Sequence, residues 1–187
     1  MWFYLSHPLA VLFARVVLGL VLLIAGLSKL QERKAFIQAV ASYEILPHFL
    51  TRPFGILLPW LELGTAILLL SGVMPTVAGL LAAILLICFM VAILVNLLRG
   101  RELNCHCFGQ LYQEKIGAGV LFQDGILLSL ALEIVAFHLG FFPTKASTVK
   151  PSSQEILLVI ILSGAFVIVF ALLQQMRELF ERARLPE

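Results

Sequence analysis

Two cysteines one residue apart, Cys105 and Cys107, sit in the polar segment Arg101-Glu102-Leu103-Asn104-Cys105-His106-Cys107-Phe108-Gly109-Gln110. Such a pair suits a reversible dithiol–disulfide couple. Closing it requires a tight turn, because a disulfide holds its Cα atoms about 5.5–6 Å apart, and Gly109 can help the chain turn. A strained local disulfide is easily reduced, which fits a transfer site better than a structural staple. His106 and Arg101 are placed to favour a thiolate. The competing chemistry is metal binding with His106 as a third ligand. Zinc sites use C-x₂₋₄-C spacing and four ligands, and no second cluster is present, so no metal is expected; two thiolates alone leave room only for Cu(I). The plainest alternative is a pair of unreactive loop thiols. The third cysteine, Cys88, lies amid apolar residues and reads as a small apolar side chain. With no second cysteine pair, the chain does not encode a multi-cysteine relay.

A second group of candidates is ionisable. Arg15, Glu62, Asp124 and Glu133 each fall inside a long apolar run. A charge in hydrocarbon costs a few kcal/mol, so each needs a partner or a task. Arg15, Gly19, Leu22, Gly26 and Lys29 share one helical face, a cation at each end with small residues between. That face serves either an internal helix contact or a homo-oligomer. At about 1.5 Å per residue, Arg15 and Glu133 share one level, so Arg15 is expected to pair with Glu133 or to reach towards Glu62. Glu62, Asp124 and Lys29 lie nearer the cysteine end. They read either as structural ion pairs or as a polar pocket that binds a quinone head group or relays protons from the dithiol. Trp60, Phe54 and Phe108 are apolar residues able to line such a pocket. His48 and His138 read as interfacial polar residues.

The elements that must position these groups follow from composition. Of 187 residues, 61% are hydrophobic and 13% charged, against about 25% charged in a soluble domain. That excludes a water-soluble enzyme domain and a disordered chain. A net charge of +2 without a basic stripe gives no nucleic-acid footprint. The chain reads as one integral membrane domain, residues 1–187, all-α, a polytopic helical bundle. Five runs approach the ~20 residues a membrane span needs: 8–29, 53–73, 75–98, 116–139 and 156–173. They lack the alternation of barrel strands. Helix starts are marked by Ser6 before Pro8, by Pro53, by Pro75, and by the capping box Ser152-x-x-Glu155. The second and third runs predict a tight hairpin. In residues 31–52, Ala35, Phe36, Ala39, Val40 and Tyr43 recur at helical spacing opposite Glu32, Arg33, Lys34 and Gln38, which predicts a short interfacial amphipathic helix. No span is broken by the interruptions that mark transporter sites.

With five spans, both long connections and the tail share one face. It carries ten Lys and Arg, against Lys145 and Lys150 on the other. The positive-inside rule makes the ten-charge face, and with it the cysteine pair, cytoplasmic.

Three segments carry a family resemblance. Ala14-Arg15 to Gly19 with Ala25-Gly26-Leu27-Ser28-Lys29-Leu30 resembles the first helix of the DoxX-like membrane proteins, and Pro59-Trp60-Leu61-Glu62-Leu63-Gly64 their second. Asn96-Leu97-Leu98-Arg99-Gly100 followed by Cys105-x-Cys107-Phe108-Gly109 resembles the MauE branch, named for methylamine utilisation. The resemblance covers about residues 8–140 and leaves the fifth span uncovered. It implies a four-helix core, to which the fifth apolar run adds a C-terminal helix, in a bacterial inner membrane, tied to thiol redox chemistry. It further implies a thioredoxin-fold or sulfurtransferase-like partner, membrane quinone as acceptor, and a place in maturation of a disulfide-containing enzyme such as methylamine dehydrogenase. Such a partner acts outside the cytoplasm, opposite to the side given by the charge rule.

The leading expectation is therefore a membrane thiol–disulfide redox protein. Cys105 and Cys107 would be its catalytic pair, and Glu62, Asp124, Lys29 and Trp60 would line a quinone pocket. Arg15 and Glu133 would be structural intramembrane charges. The rival is a non-catalytic membrane chaperone or docking subunit of a redox or maturation complex, in which the charges only hold helices together.

Overall fold

The computed structural model describes residues 8–45, 47–100, 104–105, 114–115, 118–140 and 152–184. Six helices and one two-stranded hairpin stem follow in order: α1 (Pro8–Gln31), α2 (Arg33–Ser42), α3 (His48–Ser71), α4 (Pro75–Leu98), β1 (Asn104–Cys105), β2 (Glu114–Lys115), α5 (Ala118–His138) and α6 (Ser153–Arg184). Helices α1, α3, α4 and α5 are long and apolar enough to cross a membrane. The protein is thus an all-α polytopic membrane protein. The apolar stretch of α6, Gln154–Val169, is shorter than these four, although the helix itself runs unbroken for 32 residues.

Helix α1 is the hub, in contact with α3, α5 and α6, while α4 packs along α5. The core joins Ala14, Leu18 and Val21 of α1, Ala66 and Leu69 of α3, Ala82 and Leu86 of α4, and Ala131 and Ile134 of α5. So many alanines let the helices approach closely, which lipid-embedded bundles depend on. Phe13 meets Phe166 of α6 edge-on, with ring centroids 5.8 Å apart. The outer faces present Leu57, Ile67, Ile84 and Val91, exposed large apolar side chains suited to lipid.

Glycines set the registers that place the polar groups. α1 and α3 run antiparallel with Gly19 against Leu70 and Gly26 against Leu63. A Cβ on Gly26 would stand 2.9 Å from Leu63 Cγ and 3.2 Å from the Pro59 carbonyl oxygen. The glycine face of α1 therefore serves an internal contact. α4 and α5 run antiparallel with Gly79 against Val135 and Ile93 against Val120.

Several helix ends match the sequence reading. Ser152 and Glu155 form the reciprocal capping box, with Ser152 N–H donating to Glu155 Oε2 at 2.8 Å and Glu155 N–H to Ser152 Oγ at 3.3 Å. Pro75 opens α4, and α3 turns into it through Gly72, whose φ of +74° gives the left-handed cap. The amphipathic helix is α2, with Phe36 and Ala39 buried.

One start differs. α3 begins at His48, not at Pro53, and carries Pro53 and Pro59 inside it. The Pro47 carbonyl takes the N–H groups of Leu50 and Thr51, which starts the helix early. Just beyond Pro53 the helix packs on α2, where Ile37 fills the space over Gly55. That contact outweighs the hydrogen bond each proline removes. The helix continues through both prolines without unwinding.

Candidate functional site

The last turn of α1 carries Lys29, and the α1–α3 register brings it onto Glu62. The ammonium donates to Glu62 Oε1 in direct contact, and both side chains are fully enclosed. Two aromatic rings complete the surroundings of the cation. Phe89 of α4 lies 4.6 Å from Nζ to ring centroid and Phe36 of α2 lies 5.4 Å away. Such cation–π contacts contribute about 0.5–2 kcal/mol each. The amphipathic helix thus covers the buried charge with one ring.

Asp124 completes the group from α5. It is buried, and Lys29 acts on it electrostatically. The α4–α5 register, with Ile93 opposite Val120 and Gly79 opposite Val135, sets Asp124 level with Phe89. Six residues into α5, that level is ~9 Å below the helix start. Three predicted pocket residues, Lys29, Glu62 and Asp124, therefore come together. The fourth does not: Trp60 is 57% exposed on the outer face of α3. It sits two residues before Glu62, about 200° around the helix at 3.6 residues per turn. Phe54 is also exposed, and Phe108 lies outside the described residues.

Asn96 belongs to this end of the bundle and was not among the sequence candidates. It is fully buried near the end of α4, with its Nδ2 donating to the Ala92 carbonyl at 3.0 Å and its Oδ1 unpartnered. Seven residues beyond Phe89, it stands ~10 Å nearer the cysteine segment. A lone amide near the end of a 24-residue apolar helix was the available signal.

The cysteine segment leaves α4 through Arg99 and Gly100. Arg99 Nη1 donates to the Glu44 carbonyl at 3.3 Å, tying the two long connections together. β1 and β2 then pair antiparallel, Asn104 with Lys115 and Cys105 with Glu114. The backbone of Cys105 thus lies in a hairpin stem at the same end of the bundle as Lys29. His106 and Cys107 lie outside the described residues. Cys88 is exposed on α4, away from the buried group.

The other two charges are placed differently from expectation. Arg15 forms no ion pair with Glu133 or Glu62; the one ion pair among the described residues is Lys29–Glu62. Instead Arg15 Nε and Nη2 donate to the Leu69 carbonyl at 3.2 and 3.0 Å. The last carbonyls of a helix have no partner within it and carry partial negative charge. In hydrocarbon they must be satisfied by protein, and the guanidinium does this for α3. Glu133 is half-buried with Oε1 unpartnered. His138 is satisfied within its own helix, its Nδ1 2.9 Å from the Ile134 oxygen.

The Arg15 contact makes Gly72 sensitive. A Cβ there would collide with the guanidinium, and φ is +74°. Gly72→Ala is expected to cost about 2–4 kcal/mol, from left-handed strain and the displaced hydrogen bonds. Unfolding in mixed micelles measures it; wild-type stability would refute the contact.

A family model described as methylamine utilisation protein MauE matches residues 7–137. That interval holds α1 to α5 and the cysteine hairpin, and leaves out α6. A methylamine utilization protein MauE of Methylophilus methylotrophus is 37% identical over 150 residues, 79% of this chain and 76% of its own. That of Methylorubrum extorquens is 37% identical over 148 residues, covering 79% and 77%. That of Paracoccus denitrificans is 30% identical over 132 residues, covering 70% and 71%. No solved structure matches. With the match spanning the buried charges and the hairpin alike, this chain belongs to the MauE family of methylamine utilisation proteins.

Proposed function

We propose that this protein serves methylamine utilisation as a thiol–disulfide redox protein of a bacterial inner membrane. Cys105 and Cys107 exchange electrons with a thioredoxin-fold or sulfurtransferase-like partner. Membrane quinone is the other redox partner, with its head group near Lys29, Glu62 and Asp124. The task is maturation of a disulfide-containing enzyme, with methylamine dehydrogenase as the example the family resemblance implies. The observation that carries this reading is the placement of the cysteine hairpin stem at the bundle end that buries the Lys29 group. Sulfur chemistry in water and a polar group in hydrocarbon then lie along one short path.

The chemistry needs one accessible thiolate to attack a partner disulfide, giving a mixed disulfide that the second cysteine resolves. Single variants test this. Cys105→Ser or Cys107→Ser should leave one intermediate stranded as a covalent complex, visible on non-reducing gels after acid quenching and lost on reduction. Absence of any such complex from both variants, with both proteins present in the membrane, would contradict the reading. The docking-subunit reading keeps one observation in its favour: the Lys29–Glu62 pair also joins α1 to α3. It predicts that the cysteine variants function normally while charge variants fail.

A further inference from the structure

Charge balance in the buried group is incomplete. Glu62 and Asp124 bring two negative charges when ionised, and Lys29 brings one positive charge. Among the residues whose side chains are described, no second cation joins this group. Arg15 is held at the other end of α3 by Leu69. Arg33, Lys34 and Arg52 are exposed, and Arg99 is exposed and bonded to Glu44. Of the described elements packed against α5, α1 brings Lys29, which joins Asp124 to Glu62, and α4 brings the uncharged Phe89 and Asn96; Tyr43 after α2 packs near Val120. Three enclosed oxygens, Glu62 Oε2, Asp124 Oδ2 and Asn96 Oδ1, have no partner among the described residues. All are acceptors. An excess charge and an unmet acceptor in hydrocarbon are both costly, and one hydrogen ion on Asp124 relieves both at that carboxyl.

We propose that the Lys29–Glu62–Asp124 group is a proton-binding site holding one exchangeable proton on Asp124, with Asn96 marking its route to the cysteine hairpin. Asp124 is the exchanging group because Glu62 is held by direct contact with Lys29, whereas Asp124 feels that cation only through space. Asn96 cannot carry the proton itself, but its free Oδ1 can orient a bridging donor between the hairpin and Asp124. The role in turnover rests on the thiol–quinone reading. In thiol oxidation two S–H bonds break, one S–S bond forms, and two electrons and two protons leave. A quinone taking both electrons and both protons becomes a quinol. Asp124 would pass these protons one at a time, and the reverse reaction would use the same site.

Two readouts on the full-length protein in native membranes separate the parts. Infrared spectra should show the C=O stretch of a protonated carboxylic acid, lost in Asp124→Asn and retained, shifted, in Asp124→Glu. No such band in the folded wild type would overturn the proton site. The second readout is reoxidation of pre-reduced Cys105 and Cys107 by a short-chain quinone analogue across pH. Asp124→Asn should be slowed about 10²-fold or more, the range typical of lost proton transfer, with a flattened pH profile; Asn96→Leu should be slowed less. If Asp124→Asn matches wild type in rate and profile while Cys105→Ser/Cys107→Ser is inert, the proton role fails and the redox reading stands. If quinone does not oxidise the wild-type thiols, the redox reading fails, and the infrared band alone decides the proton site.

Discussion

Lys29→Met should destabilise the bundle by about 3–5 kcal/mol, the cost of stranding a buried charge by removing its partner. Lys29 and Glu62 form the ion pair between α1 and α3, and neither reaches the outside. Losing the ammonium also empties the space between the Phe36 and Phe89 rings. The double variant Lys29→Met/Glu62→Leu should recover most of the loss, because replacing both partners with apolar groups removes the stranded charge. Unfolding in mixed micelles, or the folded fraction in membranes, measures both. Equal damage from the single and double variants would show that the charges do not act as a pair. The double variant also divides the functional readings. A folded bundle that no longer supports quinone reduction places the pair in the redox path. A folded bundle with normal activity makes it a structural tie.

Replacing both sulfurs is the largest functional change expected. In Cys105→Ser/Cys107→Ser the partner should accumulate in a single redox state, and thiol–disulfide exchange should fall to background, since a serine hydroxyl does not take part in that exchange. The described core lies in the helices, away from the hairpin, so abundance and stability should stay at wild-type levels. The readout is the partner's redox state after acid quenching and alkylation. A partner that cycles normally in this variant would move the protein to the docking class.

Four spans were legible because a hydrocarbon slab demands long apolar runs; the fifth run, 156–173, falls in α6, whose apolar stretch Gln154–Val169 is shorter. The Ser152–Glu155 box and the Pro75 start were legible because capping is local. Pro53 misled because the Pro47 carbonyl already takes the N–H groups of Leu50 and Thr51, so the helix is under way before Pro53 is reached. Among the charges, depth along each span paired Arg15 with acidic side chains. The helix-to-helix register, fixed by Gly19 against Leu70 and Gly26 against Leu63, instead brings Lys29 onto Glu62. Arg15 found a backbone carbonyl, a partner present at every helix end and invisible to a search over side chains. Trp60 was grouped with Glu62 by nearness in sequence, but two residues along a helix point to nearly opposite faces. Asn96 and the two phenylalanines were missed because their importance depends on which helices meet.

Alkylation in place shows whether Cys105 and Cys107 work as a redox couple. A membrane-impermeant thiol reagent is applied to intact cells and to inverted vesicles, with and without prior reduction. A working couple is oxidised in cells and reacts from one side only after reduction. That side also identifies the partner's compartment, where the charge bias and the family resemblance point in opposite directions. A pair that is reduced throughout, or inert on both sides after reduction, contradicts the account.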